Sequence, residues 1–160
     1  SQNVKARKTE ILRYRSREDE AHFFYFFLSK IEDLKEGVSL NLVGLVYSYK
    51  NISNRKKNGG WTNIFTIIDP FTGNSVNFTI FDACKLIYEP GSPVVVFNAV
   101  TKMYQGKMTL GVRNYTFYYF GKEIVYDKFS RLIPQVDKMR HWQEEGHTVA
   151  DIIELKDRYR

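Results

Sequence analysis

One cysteine in 160 residues, Cys84, leaves no partner within the chain, which excludes an internal disulfide framework and a cysteine-based zinc site. A reducing compartment and a packed structural thiol are the expectation. Histidine is nearly as scarce. His22, His141 and His147 lie in the lead and the tail, far in sequence from Cys84 and outside any recognisable catalytic motif. Acids are dispersed: Asp69 precedes a proline, Asp82 follows Phe81 alone and Glu89 precedes Pro90. Metal-assisted phosphodiester cleavage wants clustered carboxylates, so no enzyme, no metal and no cofactor is expected. No apolar run approaches the roughly 20 residues that span a bilayer, and no cleavable signal pattern opens the chain, so a soluble protein without a membrane partner is expected. Repeats and low-complexity segments are also missing.

What is present is one core's worth of apolar residues. A hydrophobic content of 43% in 160 residues can bury a single good core but hardly two, which predicts one domain with appendages. The net charge of +6 is moderate, so its distribution matters more than its size. The positive excess lies in residues 1–17 and 47–121, while 18–46 is acidic and 122–160 is balanced. Lys50, Arg55, Lys56 and Lys57 share one loop, and Lys102, Lys107 and Arg113 flank one hairpin, with no acid in either stretch. That pattern is the footprint of a polyanion site, although loop lysines also serve solubility alone.

Strand signals dominate the middle of the chain. Trp61 to Ile68 and Ser75 to Phe81 are rich in β-branched and aromatic residues, and Asp69, Pro70, Gly73 and Asn74 between them form a turn. A second hairpin, 94–104 and 107–120, turns at Gln105-Gly106. Before both, 38–49 reads as a long first strand that Gly44 interrupts, as a bulge or sharp bend would. Ser16 with Asp19 resembles a capping box, and the aromatic HFFYFFL after it looks extended; Ile31 to Glu36 forms a helical turn or a loop. The five strands, about 38–49, 61–68, 75–81, 94–104 and 107–120, with a linking segment at 82–93, have the order of an OB fold. After Gly121, Pro134 can open a helix through Val136, Met139 and Trp142, and Thr148 can cap another carrying Val149, Ile152, Ile153 and Leu155. The expected fold is all-β with flanking helices: a basic lead at 1–22, a single five-stranded OB-fold barrel at 23–121 and a C-terminal helical extension at 122–160.

Several motifs resemble the first OB fold of the protection-of-telomeres proteins and telomere end-binding α subunits. FFLSKIEDLKEGVSLNLVGLVYSYK is similar to that family's start, GGWTNIFTIIDP to its loop-strand-Asp element and VNFTIF to the strand ending in an exposed Phe. EPGSPVVVFNAVTKMYQGKM resembles the family's glycine, apolar strand and tyrosine, and VDKMRHWQ its short helix after the barrel, so the likeness covers roughly 24–143. One departure stands out. Family members carry basic residues and a histidine along the fourth strand, whereas Val94 to Val100 reads VVVFNAV.

The resemblance implies a site residue by residue. Phe81 and Tyr104 would stack on bases, supported by Tyr47 and Trp61, against the alternative that any one ring belongs to the core. Lys50 and Lys57, with Lys107 and Arg113 across from them, would hold phosphates. Gln105 and Asn63 would read base edges. The implied function is binding of the G-rich single-stranded telomeric overhang, hiding the chromosome end and controlling telomerase access, by a monomeric domain in the nucleus. The alternative is an OB-fold protein-interaction module of a telomere or replication complex, with other telomere-complex proteins as partners.

Overall fold

Period-two burial builds the central hairpin. The computed structural model describes residues 35–54 and 59–152. In β2 (Trp61–Ile68) and β3 (Ser75–Asp82), Phe65, Ile67, Val76, Phe78 and Ile80 point inward and are at most 5% exposed, while the residues between them point out. The two strands pair antiparallel from Trp61↔Asp82 to Ile68↔Ser75. Their turn is tied by Asp69, whose side chain accepts the Phe71 N–H and whose backbone carbonyl accepts that of Gly73. This is the turn the sequence predicts. The Asp69 carboxylate is committed to it.

β1 (Ser39–Ser53) serves two sheets. Its first half pairs with β4 (Pro93–Tyr104) and its second half with β2, and Leu45 is partnered on both sides, by Ile68 and Pro93. Gly44 sits at that crossover because a Cβ there would meet the Ile67 Cγ2 at 2.6 Å and the Ile68 carbonyl oxygen at 2.7 Å. The register irregularities lie beside it, between Leu40 and Leu42 and between Val46 and Ser48. So the glycine provides close approach, and the bulges provide the change of face.

β4 turns into β5 (Lys107–Gly111) through Gln105 and Gly106, both at positive φ, which is the two-residue turn that matches strand twist. The expected fifth strand does not run unbroken to Phe120. It stops at Gly111 and resumes as β6 (Phe117–Phe120), because Thr116 accepts the Arg113 N–H and donates to the Asn98 carbonyl, holding 112–116 in a bend. Strand order is β1-β2-β3-β5-β4-β6, with β1–β4 pairing and a parallel β3–β5 contact at Phe78↔Leu110 closing a barrel.

Two helices pack on one outer face, α1 (Lys122–Phe129) and α2 (Pro134–Glu144), the latter with proline in its first turn as the sequence predicts. Helical residues resume at 149–152, where Asp151 accepts the Thr148 N–H as a capping box does. One core cluster fills the barrel around Leu42, Val46, Phe65, Phe78, Val96 and Leu110. A second lies between barrel and helices around Leu45, Val95, Phe97, Val125, Ile133, Val136 and Met139. Together they bury β4 on both faces, which accounts for its uncharged VVVF run. The linking segment 83–92 carries no helix. The lead 1–22, the 22–28 segment, part of the 31–36 turn, the cations Arg55, Lys56 and Lys57, and the helical positions Ile153 and Leu155 fall outside the described residues.

Candidate nucleic-acid interface

The outward residues of β1, β2 and β3 line up across the sheet because the three strands are in register. Ser48 faces Thr66, which faces Asn77; Lys50 faces Ile64, then Thr79; Ile52 faces Thr62, then Phe81. These three rows floor a groove of about 840 Å³. Its floor grades from hydroxyl and amide groups at one end to an isoleucine and a phenylalanine at the other. Hydrogen bonds hold the polar groups in place, from the Thr66 hydroxyl to the Asn77 Oδ1 at 2.9 Å and from the Thr62 hydroxyl to the Asn54 Oδ1 at 3.0 Å.

The β4–β5 hairpin forms the opposite wall with Lys102, Met103, Tyr104, Gln105, Lys107 and Thr109. Lys102 lies across Gly111, where an added Cβ would meet its Cδ at 3.2 Å and its Nζ at 3.4 Å. Gly111 therefore leaves room for the lysine stem to cross β5. Lys50, Lys102 and Lys107 are the cations among the described lining residues, and no carboxylate is among them. An anionic backbone would meet attraction from both walls.

Four large apolar side chains that would be costly to expose without a partner sit here. Phe81 is 70% exposed, Tyr104 61%, Met103 47% and Ile52 43%. A ring held upright on a strand end with open faces is what base stacking requires, and fully burying it would remove about 25 cal/mol per Å² of apolar surface from water.

Phe81, Tyr104, Lys50, Gln105 and Lys107 are thus brought together from two separate hairpins. Lys57 falls outside the described residues. Four other sequence candidates sit elsewhere. Asn63 is fully buried, with its Oδ1 accepting from the Asn51 amide and the Leu86 N–H and its Nδ2 donating to the Cys84 carbonyl. It ties β2 to the 83–88 segment and has nothing left for a base. Trp61 shares the inward parity of Asn63 and Phe65, half-buried with the Lys85 ammonium 5.5 Å from its ring centre. Tyr47 packs against the helix-side cluster, because the irregularity between Val46 and Ser48 turns two neighbouring residues outward, one to each outer face. Arg113 belongs to the bend after β5 and does not line the groove.

Most of the floor lies outside the set of sequence candidates. Thr62, Ile64, Thr66, Asn77 and Thr79 are legible as the polar or lone-apolar partners of inward Phe65, Ile67, Phe78 and Ile80 once the alternation is followed on both faces. Lys102 belongs to the cluster of cations that the sequence shows flanking the second hairpin, whereas Met103 carries no signal of either kind. Behind the end of β3, Asp82 accepts the Cys84 N–H, so this acid too is engaged in a turn. Burial, then the nearby Asp82 charge, raises the ionisation of Tyr118 above the ordinary phenol value. Tyr126, bonded to the Gln143 side chain and half-buried against α2, is raised further. Among the described residues no group of three histidine, cysteine or acidic side chains is placed to hold a metal ion. No helix among them is long and apolar enough to cross a membrane.

No protein-family model matches the chain, and no curated protein does. Solved structures do. The barrel is similar to a Replication Protein A heterotrimer bound to single-stranded DNA, at TM-score 0.55 and 12% identity over 75% of this chain and 28% of that one. It is similar to fission yeast Pot1 with single-stranded DNA at TM-score 0.50 and 12% identity, over 71% of this chain and 41% of that one. A HIN domain of Ifi202 in complex with 20-bp double-stranded DNA matches at TM-score 0.49 and 22% identity, over 63% of this chain and 48% of that one. The chain thus spans less than half of each of these structures. At such identities the likeness is one of fold, and that fold is a mostly β barrel of the OB type with short flanking helices.

Proposed function

We propose that the chain binds single-stranded nucleic acid along the groove between the β1–β3 face and the β4–β5 hairpin. One observation carries this reading: Phe81 and Tyr104 stand exposed beside Lys50, Lys102 and Lys107 in a groove with no carboxylate among its described lining residues. Aromatic platforms take bases and flanking lysines take phosphates, and each stacked base is worth roughly 1–3 kcal/mol. A duplex would leave the rings unused, since its base faces are already stacked. The structural neighbours that hold single-stranded DNA support the reading as analogy of fold.

Within that class, we place the ligand as the G-rich telomeric strand, on the strength of the motif resemblance. The role is sequestration, without catalysis: occupying bases and backbone hides a chromosome end from repair factors and limits telomerase access. A nuclear location goes with that role. The uncharged run Val94 to Val100 of β4 does not weigh against it, because the outer face of that run is covered by α1 and α2 and Lys102 supplies a cation at the far end of the strand. Exposed Ile52 and Met103 favour a second reading, in which the same groove takes an apolar peptide segment of a telomere or replication protein. Equilibrium binding to a G-rich single strand, its scramble, its complement and the duplex at one salt concentration separates these. Tightest binding to the G-rich strand supports the telomeric reading. Equal affinity for all single strands reduces it to non-specific binding, and no binding favours the peptide.

A further inference from the structure

The polar end of the groove floor carries a feature that stacking and phosphate contacts leave unused. Asn77 lies on the outward face of β3, half-buried, in register with Thr66. The Thr66 hydroxyl donates to its Oδ1 at 2.9 Å, which fixes the orientation of the amide plane and occupies one lone pair of the carbonyl. No hydrogen bond joins its Nδ2 to an acceptor among the described residues, so the amide that Thr66 anchors has donors to offer in the groove.

We infer that Asn77 is a specificity-determining residue that reads a base presenting an exocyclic carbonyl, guanine or thymine, at one fixed position of the bound strand. This rests on the reading of the groove as a single-strand site. The chemistry is complementarity of donors to acceptors. A keto oxygen accepts the amide N–H, whereas the amino group of adenine or cytosine at the corresponding position opposes it donor to donor and leaves a desolvated N–H unpaired. Thr66 acts as a positioning residue: without its hydroxyl the amide loses the partner that anchors it on the groove floor. Position along the groove comes from the register. Asn77 lies two rows from Phe81, so the base it reads is not the base stacked on that ring.

The test is a set of G-rich single strands in which each guanine in turn is replaced by inosine, which keeps O6, or by 2-aminopurine, which loses it. Their affinities are measured by fluorescence anisotropy with the wild-type chain, Asn77→Asp and Thr66→Val. At one position the wild type is expected to tolerate inosine and to lose roughly ten-fold with 2-aminopurine, the scale of one hydrogen bond to a desolvated partner. Asn77→Asp replaces the donors by an acceptor and is expected to erase or invert that preference at the same position only. Thr66→Val keeps the side-chain shape and is expected to reduce the discrimination between guanine and 2-aminopurine at that position, which covers the case in which the aspartate variant does not fold. Tight binding with the same 2-aminopurine profile in wild type and both variants overturns the inference and leaves the groove reading standing. Failure of the wild-type chain to bind any of these strands overturns both.

Discussion

Replacing Phe81 by alanine separates stability from binding more cleanly than any other change in the groove. The ring is 70% exposed at the end of β3, opposite Thr62, and belongs to neither core cluster. Its removal should therefore alter unfolding free energy by no more than about 0.5 kcal/mol, the usual range for surface positions. Three residues earlier on the same strand, Phe78 is fully buried in the barrel core against Tyr118. Phe78→Ala should cost about 3–5 kcal/mol of stability. In binding the order reverses. Loss of one stacked base removes roughly 1–3 kcal/mol, about a five- to 150-fold rise in Kd at constant salt. Thermal melts of both variants and anisotropy titrations of Phe81→Ala with a single-stranded oligonucleotide provide the readouts. A melting point for Phe81→Ala as low as that of Phe78→Ala would refute the placement of the ring, and unchanged affinity with an unchanged melting point would refute its role.

Three further outcomes are expected. Gly44→Ala should destabilise the barrel by about 1–3 kcal/mol, because its Cβ meets β2 at 2.6–2.7 Å and the strand crossover must open; a wild-type melting curve would contradict this. Asn63→Ala should lower stability by about 2–3 kcal/mol by orphaning the Leu86 N–H and the Cys84 carbonyl, yet the folded fraction should bind oligonucleotide with wild-type preference, which a base-reading residue would not allow. Tyr118 and Tyr126 both ionise with more difficulty in the folded chain than in the unfolded one, whose phenols titrate near 10.0, so the folded state holds their protons longer. Stability should hold below pH 10.0 and decline as pH rises beyond it. Tyr118→Phe should flatten that decline in chemical unfolding measured across the alkaline range, and an unaltered slope would count against the burial of its hydroxyl.

How much was legible in the chain depends on which signals are local. The β2–β3 hairpin, the Gln105-Gly106 turn and the start of α2 at Pro134 are each specified by residues within a few positions, and each stands where the sequence puts it. Phe81 and Tyr104 came from the motif resemblance, and both stand exposed in the groove. The bend at 112–116 was not, because the hydroxyl that makes it binds Asn98, 18 positions away, while the aromatic run on either side reads as one strand. Tyr47 and Ser48 point to different outer faces through a bulge that depends on pairing with β2, so parity counted from one end of β1 fails at the other. Asn63 looks like any polar strand residue until the 83–88 segment folds over it and takes both ends of its amide.

If a single strand lies across Lys50, Lys102 and Lys107 and stacks on Phe81, the salt dependence of affinity must carry the signature of both contacts. Each phosphate neutralised on a single strand contributes about −0.7 to the slope of log affinity against log salt. Two to four contacts give a slope between about −1.4 and −2.8. Lys102→Ala should make the slope shallower by about 0.7 while leaving base preference in place, and Phe81→Ala should lower affinity at every salt concentration with the slope nearly unchanged. A slope that neither Lys102 nor Lys50 substitution alters would remove the strand from this groove, and a preference for the G-rich strand over its scramble that is absent at every salt concentration would remove the telomeric ligand.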